Sequence, residues 1–144
     1  MWCNVNRMPG EMKIQLRQIS RSASEAVINS HHIAIDRPIA KGGSGAGPMG
    51  GQLFLAAVGG CFMSTLLAAI AAREADISHV AIEVIGSLAD APVRFTGIEL
   101  IVTAKTTDHA TLAHLLEIAG RGCIMMNTLR ATLDLNVRAL TQIA

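Results

Sequence analysis

Tyrosine is absent from this chain of 144 residues, and the other aromatics amount to one tryptophan and three phenylalanines. Few rings are left for bases to stack on, and a net charge of +1 with interspersed signs provides no basic stripe. Nucleic-acid binding therefore has no support. Cysteine is also scarce: Cys3, Cys61 and Cys123 make an odd number with no tight spacing. That argues against a secreted disulfide framework and for a reducing cytoplasm. Between residues 42 and 72 there is no charged side chain at all. About 20 apolar residues suffice to span a bilayer, but this stretch opens as a loop, Gly42-Gly43-Ser44-Gly45-Ala46-Gly47-Pro48, and then carries Gln52, Ser64 and Thr65. A helix apolar on every face also suits the buried centre of a globular protein, and no membrane association is expected.

The length fits one domain with a real core, expected over residues 12–144. Residues 1–11 are polar, end in Pro9-Gly10-Glu11 and lack the apolar run of a signal peptide, so they read as a disordered extension. Alternation of apolar and polar residues predicts strands over 12–19, 26–28 and 32–36, with Asn29-Ser30 as a turn. A long helix is expected from Gly51 to Glu74. Two further strands, 80–86 and 95–102, flank Asp90-Ala91-Pro92 as a hairpin connection. Thr107-Asp108 opens a helix with Leu112, Leu115, Leu116 and Ile118 at helical spacing. A helical piece over 123–130 and a strand over 133–140 complete an α+β order.

Gly45-Ala46-Gly47-Pro48-Met49-Gly50 matches the dinucleotide fingerprint GxGxxG in letters only. The fingerprint needs a strand-to-helix turn and an acid ending the next strand about 20 residues on; here Pro48 interrupts and a long helix follows. Of the five histidines, His109 and His114 are five apart and share no helix face, so no metal site is assigned, and no cofactor.

The cysteines carry the chemistry. Cys61 falls roughly three turns into the long helix, where the helix terminus no longer stabilises a thiolate and apolar burial raises its pKa. A reactive Cys61 therefore needs a cation from elsewhere, and arginine is the one that stays charged. Gly59-Gly60 before it cost about 1 kcal/mol each in helix propensity, which makes sense where another group approaches closely. The competing reading is that small residues merely let the helix nestle on a sheet.

Gly47-Pro48, the run Gln52-Leu53-Phe54-Leu55-Ala56-Ala57-Val58-Gly59-Gly60-Cys61, Arg94-Phe95-Thr96-Gly97-Ile98, and Cys123 followed by Asn127-Thr128-Leu129 together resemble the OsmC/Ohr family of thiol-dependent peroxidases. The resemblance covers roughly residues 12–140. It implies an OsmC-like α+β fold, with antiparallel sheets wrapped around a long buried central helix in an intertwined homodimer. It implies Cys61 as the peroxidatic residue, Cys123 as the resolving one, and an arginine, Arg21 (with Arg37 as competitor), as the thiolate's counter-ion. The implied substrate is an organic hydroperoxide and the implied reductant a dithiol, with a lipoyl-type dithiol as the candidate. Two positions depart from the pattern. The family's glutamate near the helix start is replaced by Gly51 with Gln52 beside it, and the Pro-x-Ser after the second cysteine is Ile124-Met125-Met126. The first departure motivates a second reading, a redox sensor or binder of a small apolar ligand on the same fold.

Overall fold

The computed structural model describes residues 10–140. The expected extension thus lies, but for its last two residues, outside the described residues. The chain divides into two compact units, with the boundary between Gly50 and Gly51.

The first unit is an antiparallel meander of β1 (Gln15–Gln18), β2 (Ser24–Ile28) and β3 (His31–Ile35). Asn29, at φ 54°, makes the turn between β2 and β3, a conformation that Asn tolerates. Register sets Arg17 opposite Glu25. The guanidinium closes on Glu25 Oε2 through Nε at 2.8 Å and Nη2 at 2.6 Å, and His32 Nδ1 lies 3.2 Å from the same oxygen.

Beyond β3 the chain folds around Asp36, whose side chain is buried with 4% exposure. Its Oδ2 accepts from the Ser44 hydroxyl (2.6 Å), the Ser44 amide (3.0 Å) and the Ala46 amide (3.1 Å), and Oδ1 accepts from the Arg37 amide at 2.7 Å. The Ser44 hydroxyl is the main cause that holds this carboxyl far below the ordinary carboxylate range, and the three amides add to it. Gly45, at φ 69°, lets the loop reverse and donates to Arg37 O at 3.1 Å. Within the fingerprint-like segment the Ala46 amide is thus turned onto the chain's own carboxylate and the Gly45 amide onto the Arg37 carbonyl. The positive φ of Gly45 and the close approach of the Ala34 carbonyl to Gly47 account for these two glycines without a nucleotide.

The second unit runs α1 (Gly50–Ala72), β4 (Ser78–Asp90), β5 (Val93–Lys105), α2 (His109–Gly122), α3 (Ile124–Leu129) and β6 (Asp134–Ala139). β4 and β5 form a long hairpin whose turn holds the cis Ala91–Pro92 bond, and β6 joins β5 in parallel. Strand periodicity puts Ile98, Leu100 and Val102 of β5 on one buried face. Val58, Phe62, Leu66 and Ile70 of α1, and Leu112, Leu115, Leu116 and Ala119 of α2, join them in one core.

By length and composition α1 could cross a membrane, yet its residues build this core. At 3.6 residues per turn, Val58, Phe62, Leu66 and Ala69 share the buried face, whereas Ala56, Gly60, Leu67 and Ala71 lie on the opposite, exposed one. The α+β class and nearly every expected element are present. The hairpin strands are longer than the periodicity suggested, because both extend past the buried stretch into mostly exposed ends, where Leu88 and Val93 stand among polar residues.

Candidate active site

α1 is pressed against the hairpin at Gly59: a Cβ there would come within 2.6 Å of Val84 Cγ2. Gly60 faces open space. Only the first glycine of the pair is therefore required by a close approach within the chain. Two residues after Gly59, at the margin between the buried and exposed faces of α1, sits Cys61, half-buried. Thr65, one turn on, donates its hydroxyl to Cys61 O at 3.0 Å, a back-bond available to threonine in a helix.

Asp108 caps α2, accepting from the Thr111 amide at 2.9 Å and the Thr111 hydroxyl at 2.6 Å. The N-cap was legible in the sequence. At its other end α2 passes directly into α3 through a single extended residue, Cys123, at φ −80° and ψ 120°. Just before it, Gly122 would bring a Cβ to 3.2 Å from Thr65 Cγ2, so a side chain there would push the junction off α1. Without one, the junction comes close enough for Cys123 Sγ to donate to Cys61 Sγ across 3.3 Å.

Cys123 is fully buried, at 0% exposure. Burial is the main cause that raises its thiol above the ordinary range; the Met126 amide opposes the rise and the Cys61 sulfur adds to it. At neutral pH Cys123 is consequently a protonated donor facing a more accessible sulfur. A pair 3.3 Å apart needs to close to about 2.05 Å to become a disulfide, a movement of side chains rather than of the fold. The structure thus joins two cysteines 62 positions apart in sequence.

Arg21 lies exposed in the bend between β1 and β2, and Arg37 lies exposed after β3. Neither guanidinium enters an ion pair among the described residues. At Gly51, a Cβ would meet the Phe95 ring at 3.7 Å, and Phe95 stacks on Phe54 with centroids 5.2 Å apart. The start of α1 thus has an aromatic neighbour where the resemblance leads one to expect a carboxylate. Among the described residues no group of three or more His, Cys, Asp or Glu side chains is placed to hold a metal ion.

Sequence reasoning missed Asp36, Thr65 and Arg130. Asp36 looked like a polar strand end, and only its burial shows that it organises the loop. Arg130 figured only as the end of the helical piece over 123–130; its Nη2 donates to Gly120 O at 3.2 Å.

No curated protein matches the chain. Solved structures do: an OsmC-like protein from Mycoplasma pneumoniae (19% identity, TM-score 0.77, 92% of this chain and 98% of that one). An organic hydroperoxide resistance protein OsmC from Legionella pneumophila also matches (18%, 0.73, 94% and 100%). So does the organic hydroperoxide resistance protein OhrB of Bacillus subtilis (20%, 0.65, 89% and 96%). At these identities the likeness establishes the fold. The family model described as OsmC-like protein matches residues 42–138, about two thirds of the chain, which include both cysteines and the helices that bring them together. The chain belongs to the OsmC-like protein family.

Proposed function

We propose that the protein is a thiol-dependent peroxidase that reduces organic hydroperoxides, with Cys61 as the peroxidatic residue and Cys123 as the resolving one. The observation that carries this reading is the 3.3 Å contact between a half-buried and a buried thiol. The Legionella and Bacillus proteins of the same fold are named for organic hydroperoxide resistance, which supports the substrate class.

In the reaction, the Cys61 thiolate attacks one peroxide oxygen. An S–O bond forms, the O–O bond breaks, and the departing alkoxide takes a proton to become the alcohol. Cys61 is then a sulfenic acid. Cys123 attacks the oxidised sulfur: the S–S bond forms, the S–O bond breaks, and the hydroxyl leaves with the Cys123 proton as water. An external dithiol, of lipoyl or related type, restores both thiols and is itself oxidised to a disulfide.

Cys123 is buried and its thiol raised, so it stays protonated until this second step and does not compete for the peroxide. Arg21 is the proposed source of positive charge for the Cys61 thiolate, with Arg37 as the alternative. Cys61 packs against the apolar core of the second unit, as Phe54, Leu55 and Met125 do, and these apolar surroundings favour an alkyl hydroperoxide over hydrogen peroxide. The proposed assembly is a homodimer and the proposed compartment the reducing cytoplasm.

The decisive experiment follows consumption of cumene hydroperoxide with a dithiol present. Cys61→Ser should abolish turnover, and Cys123→Ser should leave a sulfenic acid that dimedone traps. If wild type and Cys61→Ser consume the peroxide equally slowly, the enzyme reading fails.

The Phe95 ring beside Gly51 favours a second reading, a redox sensor or apolar-ligand binder on the same fold. Stoichiometric oxidation of Cys61 with no steady-state consumption under any dithiol would select it.

A further inference from the structure

The α2–α3 junction holds the resolving sulfur on one non-helical residue, and the last carbonyls of α2 have no partners within their own helix. Two side chains of α3 and its C-terminal edge reach back to them. Asn127 Nδ2 donates to Arg121 O at 2.9 Å, and Arg130 Nη2 donates to Gly120 O at 3.2 Å. Asn127 also donates its backbone N–H to Cys123 O at 3.0 Å, and the Arg130 amide donates to Met126 O at 3.1 Å. The Asn127 side chain thus holds the chain on the α2 side of Gly122, at the Arg121 carbonyl, while its backbone closes the first turn of α3 on Cys123 O as any residue there would. Arg130 fastens the carbonyl one residue before, that of Gly120. A cation at a helix C-terminus is also favoured by the helix dipole. Both side chains are exposed, and neither contributes to the core.

We propose that Asn127 and Arg130 are positioning residues for the resolving cysteine. They fix the angle between α2 and α3, and so hold Cys123 Sγ within disulfide-forming reach of Cys61 Sγ. Free rotation about the single extended residue would let the buried thiol swing away from its partner. The clamp limits that freedom, so the pair has a high effective concentration before any oxidant arrives. The inference rests on the proposed reading only in that the two thiols interconvert with a disulfide. Whether the oxidant is an alkyl hydroperoxide does not enter it.

The test is the equilibrium of the Cys61–Cys123 pair with a glutathione redox buffer, read by mass after acid quench and alkylation. It needs no peroxidase activity and therefore separates failure of this inference from failure of the peroxidase reading. Asn127→Ala and Arg130→Ala should each lower the effective concentration of the pair about tenfold, the worth of one well-made hydrogen bond to a charged or amide donor. Arg130→Lys, which can still reach a carbonyl, should recover most of the loss.

Thr128→Ala is the control. It removes the Thr128 hydroxyl's bond to Ile124 O, 2.7 Å, within α3 and without touching α2. It should lower the melting temperature yet leave the thiol equilibrium unchanged. Equal effective concentrations in wild type, Asn127→Ala and Arg130→Ala would overturn the proposal. So would a loss in Thr128→Ala as large as theirs, since that would reduce the clamp to ordinary helix stabilisation. If one alanine variant does not fold, the other, together with Arg130→Lys, still decides the outcome.

Discussion

At the residue scale, two buried ionisable groups are shifted in opposite directions for different reasons. Cys123 is raised chiefly by burial, so the rise should survive loss of its neighbour. In Cys61→Ser, alkylation of Cys123 by iodoacetamide should show a pH midpoint above the value of about 8.5 for a free thiol. A midpoint at or below it would contradict the burial argument. The sign for stability follows: with the folded pKa raised, the contribution of Cys123 is fully present below the unfolded thiol value and is lost as pH rises toward the folded one. Asp36 behaves in the opposite sense. Its carboxyl is depressed by the Ser44 hydroxyl and the amides of Ser44, Ala46 and Arg37. Its contribution is therefore present above the ordinary value of about 3.9 and is lost as pH falls into strong acid. Asp36→Asn presents an amide N–H₂ to some of these donors. The variant should melt lower at neutral pH and show a flatter acid limb than wild type in a pH series of thermal melts.

At the element scale, α1 shows how two identical neighbours come to matter differently. Gly59→Ala forces a methyl to within 2.6 Å of Val84 Cγ2; overpacking of that kind costs about 1–3 kcal/mol, more than the gain of about 1 kcal/mol in helix propensity. Gly60→Ala meets nothing within 4 Å and should be neutral or stabilising. Urea unfolding of the two variants checks the ordering, and equal effects would refute it. The sequence could expose the glycine pair but not which member faces a strand, since that depends on the register of the hairpin against the helix. The elements themselves were legible for plain reasons: period-two alternation in β4 and β5, the Leu112–Leu115–Leu116 stripe and the Asp108 cap in α2. The meeting of Cys61 and Cys123 was legible only through the family resemblance, because no local pattern encodes a contact across 62 positions. The clamp was not legible, because Asn127 stood out only as part of the motif after Cys123 and Arg130 only as the end of a helical piece, and no spacing tells which carbonyls their side chains reach.

At the scale of the whole molecule, the uncharged run from 42 to 72 leaves one face of α1 without a charge and partly without cover. Leu67 is 47% exposed there, with Ala56, Gly60 and Ala71 on the same face. A helix whose buried side already supplies the core has no reason to keep its other side apolar unless something covers it. In the proposed homodimer a second copy does so, and the small residues permit a close approach. A charge placed on this face should then act on assembly rather than on the core. Leu67→Glu would remove an apolar contact worth about 1.5–3 kcal/mol when fully buried and add the cost of desolvating a carboxylate. The dimer dissociation constant should rise by at least about 100-fold, seen in analytical ultracentrifugation as a shift toward monomer at micromolar concentration. Far-ultraviolet circular dichroism should change little, because Val58, Phe62 and Leu66 remain in place. A variant that sediments like the wild-type dimer would show that this face of α1 is not where the two copies meet.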